Sequence, residues 1–181
     1  MSQVNQSTAN WRLFGGGGLA VGGLLYALVS LLGKDGDKDV FWLGVIAFAV
    51  VGVGFFFVAY GETGGNGAVG DSDTGKLALF ITAGLFLLYA LLLILLRQGS
   101  DIDSSILRLI QIATVVALAW SALEISRKDV AKGLAAVALF GVAAWAAIIQ
   151  ILVWAGEYDW WAAFILGLAL LATGVLYVLN N

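Results

Sequence analysis

The chain has no cysteine, no histidine and no proline, and its single methionine is residue 1. Each absence removes a class of chemistry. Without Cys there is no disulfide, no thiolate metal site and no iron–sulfur cluster. Haem iron loses every usual axial ligand except Tyr, so a haem subunit is not expected. Zinc, copper and non-haem iron lose their commonest ligand. A metal bound here would be a hard cation on oxygen ligands. Serine–histidine and cysteine–histidine catalysis cannot be assembled within the chain. Without Pro, a helix broken at mid-membrane to expose backbone to a substrate would have to rely on Gly.

Charge is scarce as well. Charged residues make up 12% of the chain and hydrophobic ones 61%. An ordinary soluble domain carries about 25% charged residues. The formal net charge of −3 says little about partners. No basic stripe points to nucleic acid.

What fills the chain is a series of apolar runs: Leu13–Leu32, Val40–Tyr60, Leu77–Leu96, Ile106–Ile125, Gly133–Gly156 and Trp160–Leu179. A hydrocarbon core about 30 Å thick needs about 20 helical residues at about 1.5 Å each. Five runs reach that length with no internal charge. The fourth does so by including Arg108 and Glu124 near its ends. The first run is expected to be a retained span rather than a removable signal. It is preceded by one basic residue, Arg12, and closed by no small-x-small pattern. The expected fold class is an all-α integral membrane protein. A single transmembrane domain, 1–181, places six transmembrane helices in the lipid bilayer as three antiparallel helical hairpins.

Six spans put both termini on one side, called A here. Side A also holds the Gly61–Gly75 and Ser126–Lys132 loops. Side B holds the turns Gly33–Asp39, Arg97–Ser105 and Glu157–Asp159. Side A carries five basic residues (Arg12, Lys76, Arg127, Lys128, Lys132) and side B four (Lys34, Lys38, Arg97, Arg108). The positive-inside rule counts only Lys and Arg. The Arg127-Lys128 pair, tight against a span, tips side A toward the cytoplasm. The lack of Cys and the short loops suit a prokaryotic membrane. The Gly61–Gly75 loop is acidic and glycine-rich, with no helix or strand pattern. Ser2–Asn10 is polar and uncharged, and is expected to fray or dock.

Side B repeats an acidic triplet: Asp37-Lys38-Asp39, Asp101-Ile102-Asp103 and Glu157-Tyr158-Asp159, each just before an even-numbered span. The spans before the first two also share a tripeptide, Leu25-Tyr26-Ala27 and Leu88-Tyr89-Ala90. The chain therefore reads as three hairpins of related design. Asp is a favoured helix N-cap and complements the positive end of the helix dipole, which is the leading role for Asp39, Asp103 and Asp159. The functional alternative gathers Asp37, Asp39, Asp101, Asp103, Glu157 and Asp159 on one face as a cation-attracting or calcium-binding ring.

Ionisable or amide groups inside a span are candidates for function by default. Here they are Arg108, Gln111, Glu124 and Gln150. Arg108 and Glu124 lie one turn from opposite ends of the fourth span and are expected to snorkel to the headgroups. Gln111 and Thr114 follow Arg108 at three-residue steps, so the three share one face over the first two turns, expected to point into the bundle. A direct Gln111–Gln150 hydrogen bond between neighbouring helices would satisfy both amides. No charged residue falls at the bilayer centre, which argues against a proton pump.

Small residues allow helices to pack backbone against backbone. The candidates are Gly18, Gly22 and Gly23 in the first span, Ala163 and Gly167 in the sixth, and Ala143 and Ala147 in the fifth. The Gly15–Gly18 run lacks the Lys-Ser/Thr of a phosphate loop. Trp42, Trp154, Trp160, Trp161 and Tyr158 on side B, with Trp11 and Tyr60 on side A, form the aromatic belt of headgroup depth. Trp120 falls near the side-A end of the fourth span. Trp145 lies deeper and is expected in the core, with a bound lipid, quinone or pigment as the alternative contact.

No motif is specific enough to name a family. The leading functional expectation is a non-catalytic accessory or scaffold subunit that packs against other membrane proteins or a second copy. The alternative is a small channel or transporter for cations, using the acidic turns and the Arg108, Gln111 and Gln150 zone. An enzyme acting on lipid is disfavoured because its acid–base and nucleophile sets are missing.

Overall fold

The computed structural model describes residues 3–34, 39–61, 73–126 and 133–179, with their side chains except those of 3–12, 61, 73 and 133. It is built from six helices: α1 (Gln3–Leu32), α2 (Phe41–Gly61), α3 (Asp73–Arg97), α4 (Ser104–Ser126), α5 (Gly133–Ala155) and α6 (Trp160–Leu179). No strand occurs among the described residues. Each helix is long and apolar enough to cross a membrane, the build of a multi-pass membrane protein. Asp37, Arg127, Lys128, Lys132 and most of the Gly61–Gly75 loop lie outside the described residues.

Helix α1 begins ten residues before its apolar run, where the sequence predicted a fraying tail. Residues 3–12 contain neither Pro nor Gly, so nothing stops the helix from propagating outward once the span has nucleated it. The ends on side B are set more sharply. Gly99 and Gly156 have φ of +86° and +74°, the left-handed conformation that terminates helices. After α3, Ser100 N–H donates to the Leu95 carbonyl at 3.1 Å and Gly99 N–H to the Leu96 carbonyl at 3.0 Å. After α5, Glu157 N–H donates to Leu152 at 2.9 Å and Gly156 N–H to Val153 at 3.3 Å. The same pair of bonds closes both helices.

The helices close into a ring. Each packs against its chain neighbours, and α6 returns to pack on α1. Helix α1 has its most extensive contacts, with α6 and α2. Its glycines explain how. Gly15, Gly18 and Gly22 face α2, where a Cβ on Gly18 would meet Gly54 Cα at 2.8 Å. Gly16 and Gly23 face α6, where a Cβ on Gly23 would meet Leu171 N at 2.5 Å and Gly167 O at 2.6 Å. One glycine-rich helix thus presents two backbone-close faces. In lipid the attraction between such faces is dispersion, which rewards this proximity.

Away from the contacts, large apolar side chains point outward, among them Leu109, Val116, Val137 and Ile151. In water such a surface would mark an interaction site or an aggregation hazard; against acyl chains it is the matching solvent. A polar contact joins α3 and α4 in the half toward side A. Thr82 and Ser121, both fully buried, lie 3.0 Å apart. Thr82 donates its own proton to the Ala78 carbonyl at 2.9 Å, so Ser121 is the donor to Thr82.

Candidate functional site

The three side-B turns come together at one end of the ring. Arg97, ending α3, pairs with Asp39 before α2: Nη1 donates to Oδ1 at 3.3 Å, and Nη2 contacts Oδ2. Its guanidinium also lies 4.7 Å from the Phe41 ring centre. Lys34, after α1, lies over the Trp160 ring that opens α6, at 5.9 Å. Between these contacts is an open vestibule of about 500 Å³ lined by Ser30, Lys34, Tyr158 and Asp159, among others.

Below the vestibule, at the centre of the ring, lies a smaller chamber of about 110 Å³. All six helices contribute to its wall. Helix periodicity puts the contributors on inward faces: Gln111, Thr114 and Leu118 step by three and four along α4, and Val142, Ala146 and Gln150 step by four along α5. Tyr26 of α1, Phe48 of α2 and Tyr89 of α3 complete the side-B half. Tyr26 and Phe48 line both cavities. Their rings are 5.1 Å apart, and Phe48 meets Tyr89 edge-on at 5.0 Å. Toward side A the chamber ends on Phe86, Leu118, Val142 and Leu170, part of the continuous apolar core.

The polar groups of the chamber are only partly satisfied. Gln111 Nε2 donates to the Tyr89 hydroxyl at 2.8 Å. Thr114 donates to its own helix, to the Ile110 carbonyl at 2.7 Å. Tyr26 also borders the vestibule beside Tyr158, the central residue of the third acidic triplet. Gln150 Oε1 is buried and has no hydrogen-bond partner among the described residues. No acidic or basic side chain lines the chamber among the described residues.

The structure redistributes the residues that the sequence singled out. Gln111 and Gln150 share the chamber, but the expected amide–amide bond is not made; Gln111 is taken by Tyr89 across the α3–α4 contact. Glu124 does not reach outward as expected. It is 6% exposed and turned into the bundle, accepting from Trp120 Nε1 at 3.3 Å. One turn from a helix end is close enough to water for a carboxylate to snorkel, but the α4 face it occupies is the inner one, shared with Ser121. Arg108 is exposed on the outer face.

The acidic turns act locally. Asp39 accepts from Phe41 N–H at 3.2 Å, Asp103 from Ser105 N–H at 2.8 Å, and Asp159 from Trp160 N–H at 2.7 Å. The Ser105 backbone N–H, and its hydroxyl after it, hold the Asp103 carboxyl below the ordinary carboxylate range. That cap is intact above the ordinary range and is lost as pH falls through the lowered value. Asp101 and Glu157 are exposed. Among the described residues no group of three or more acidic, His or Cys side chains is placed to hold a metal ion.

The small residues are used inside the ring. Gly18 and Gly22 lie against α2, Gly23 and Gly167 against one another, and Ala163 lines the vestibule. Trp145 donates to the Ala162 carbonyl at 2.8 Å and packs on Trp161. The residues that sequence reasoning missed at the chamber are Tyr26, Phe48 and Tyr89. A signal was present: Tyr26 and Tyr89 are the shared residues of the repeated Leu-Tyr-Ala tripeptide.

Comparison of the chain with protein-family models, curated proteins and solved structures gives no match.

Proposed function

We propose that this protein is a non-enzymatic carrier or channel that takes a small solute into the centre of its helix ring from side B. The observation that carries the reading is the chamber. Its walls come from all six helices, Gln150 in its wall carries a buried acceptor with no partner among the described residues, and it shares Tyr26 and Phe48 with an open vestibule. Polar cavities between packed transmembrane helices are where membrane carriers hold their cargo. In this reading the chain is three antiparallel hairpins, α1–α2, α3–α4 and α5–α6, closed into a ring in a prokaryotic membrane with both termini in the cytoplasm. The meeting of the three turns on side B supports that arrangement.

The accessory-subunit reading rests on the lack of catalytic and cofactor ligands, the few buried polar groups and the small-residue faces. Of those faces, Gly18, Gly22, Gly23 and Gly167 are used within the ring, between α1 and its two neighbours. The cation reading drew on the acidic turns, three of whose carboxylates cap helices.

Because the chain has no cysteine, an introduced thiol reports without background. Thiols react as thiolates, so alkylation measures contact with water. Ala146→Cys, in the chamber wall, should react with iodoacetamide in reconstituted vesicles. Leu139→Cys, in the apolar core below, should stay inert. An Ala146→Cys protein as inert as Leu139→Cys would remove the basis of the reading.

A further inference from the structure

We infer that the chamber selects small, planar, neutral solutes carrying both an N–H donor and a carbonyl acceptor, the chemistry of a primary amide or a urea. The inference rests on the reading of the chamber as a solute site and goes on to say what it holds. Four observations converge on this class.

The first is charge. No acidic or basic side chain lines the chamber among the described residues. An ion there would sit uncompensated within the span region, where charge is disfavoured. Lys34 and Asp159 line the vestibule instead.

The second is the pair of unused hydrogen-bonding capacities. Gln150, in the chamber wall, has an Oε1 with no donor among the described residues; the atom is covered in the empty protein, and a ligand reaches it when the amide turns inward. Tyr89 accepts from Gln111, and a phenolic hydroxyl in that position still has its proton to give. A ligand matching both must donate at one end and accept at the other. A simple amine, an ether or a ketone matches only one.

The third is size. A dry engineered cavity of about 150 Å³ holds benzene. The 110 Å³ here is smaller. It suits a solute of about four or five heavy atoms.

The fourth is shape. Tyr26, Phe48, Phe86 and Tyr89 put four aromatic rings in the chamber wall. Flat aromatic faces favour a flat guest.

Acetamide and urea are the probes, each with a charged partner of the same shape: acetate for acetamide and guanidinium for urea. Acetone supplies the shape without a donor. The readout is the rate at which Ala146→Cys is alkylated by iodoacetamide in reconstituted vesicles. Solutes this small bind with dissociation constants on the order of 10 mM. Acetamide or urea at about 100 mM should then slow alkylation about tenfold. Acetate, guanidinium and acetone should leave it unchanged. In the Ala146→Cys, Gln150→Leu double variant, which still folds because Leu replaces Gln at similar volume, acetamide should no longer protect.

Protection by the charged partners equal to that by the neutral ones would overturn the inference, as would protection that survives Gln150→Leu. Alkylation that no solute slows would also overturn it, and would make the chamber a water site. In each of these cases Ala146→Cys still reacts, and the solute-accessible chamber stands. An unreactive Ala146→Cys defeats the broader reading instead.

Discussion

Gly174→Ala should cost about 3 kcal/mol or more of stability, although it adds one methyl group to an apolar helix. The Cβ would fall on Ala20 N and Gly16 O of α1. Gly167, two turns earlier on the same face, is in the same position: its Cβ would meet Ala27 N at 2.5 Å and Gly23 O at 2.7 Å. These neighbours are backbone atoms and cannot rotate aside. The two helices would have to separate, and the dispersion contacts along the whole α1–α6 seam would weaken together. The control is Gly17→Ala. Gly17 belongs to the same glycine run as Gly16 and Gly18, yet a Cβ there meets nothing within 4 Å. That substitution should stabilise the helix by about 0.5–1 kcal/mol. Denaturant unfolding in mixed detergent–lipid micelles, followed by tryptophan fluorescence, measures both. Equal effects of the two substitutions would mean that α1 is not held by α6 in this register.

Gln150→Leu should have the opposite sign. Gln150 Oε1 is buried without a partner, and an orphaned acceptor costs about 1–3 kcal/mol relative to one that is satisfied. Leu fills nearly the same volume with no polar atom, so the empty protein should gain about 1–2 kcal/mol. A gain in stability coupled to a loss of solute protection is the signature of a group kept for binding rather than for folding. Destabilisation by Gln150→Leu would show instead that the amide is held by a partner and serves as an interhelical link. The same unfolding measurement decides between them.

The helices were legible because a bilayer imposes two readable requirements, length and apolarity. The six runs and the six helices agree to within a residue or two at most ends. The exceptions are the starts of α1 and of α3, which begin at Gln3 and Asp73 instead of Leu13 and Leu77; their polar first turns obey no membrane constraint and extend because nothing breaks them. Helix faces were harder to read. In a soluble helix, polarity marks the outward side; in lipid both sides are apolar, and the inward face is marked only by glycines and rare polar groups. Gly18, Gly22, Gly23 and Gly167 therefore pointed to seams, but not to which neighbour filled each one. Gln111 and Gln150 pointed to the interior, while their actual partners depended on where α3 lay. Tyr26 and Tyr89 were passed over because a tyrosine in a span reads first as interface belt. Glu124 was misplaced for a related reason: its distance from the helix end is visible in sequence, and the direction it faces is not.

The central claim is that the ring admits a solute to its centre. Vesicles containing the purified protein, shrunk by an inward acetamide gradient and followed by light scattering as they re-swell, test it most directly. The account predicts faster re-swelling than protein-free vesicles of the same lipid. It also predicts a return toward the protein-free rate in Gln150→Leu, which keeps its fold. Re-swelling at the protein-free rate with the folded wild-type protein would contradict it.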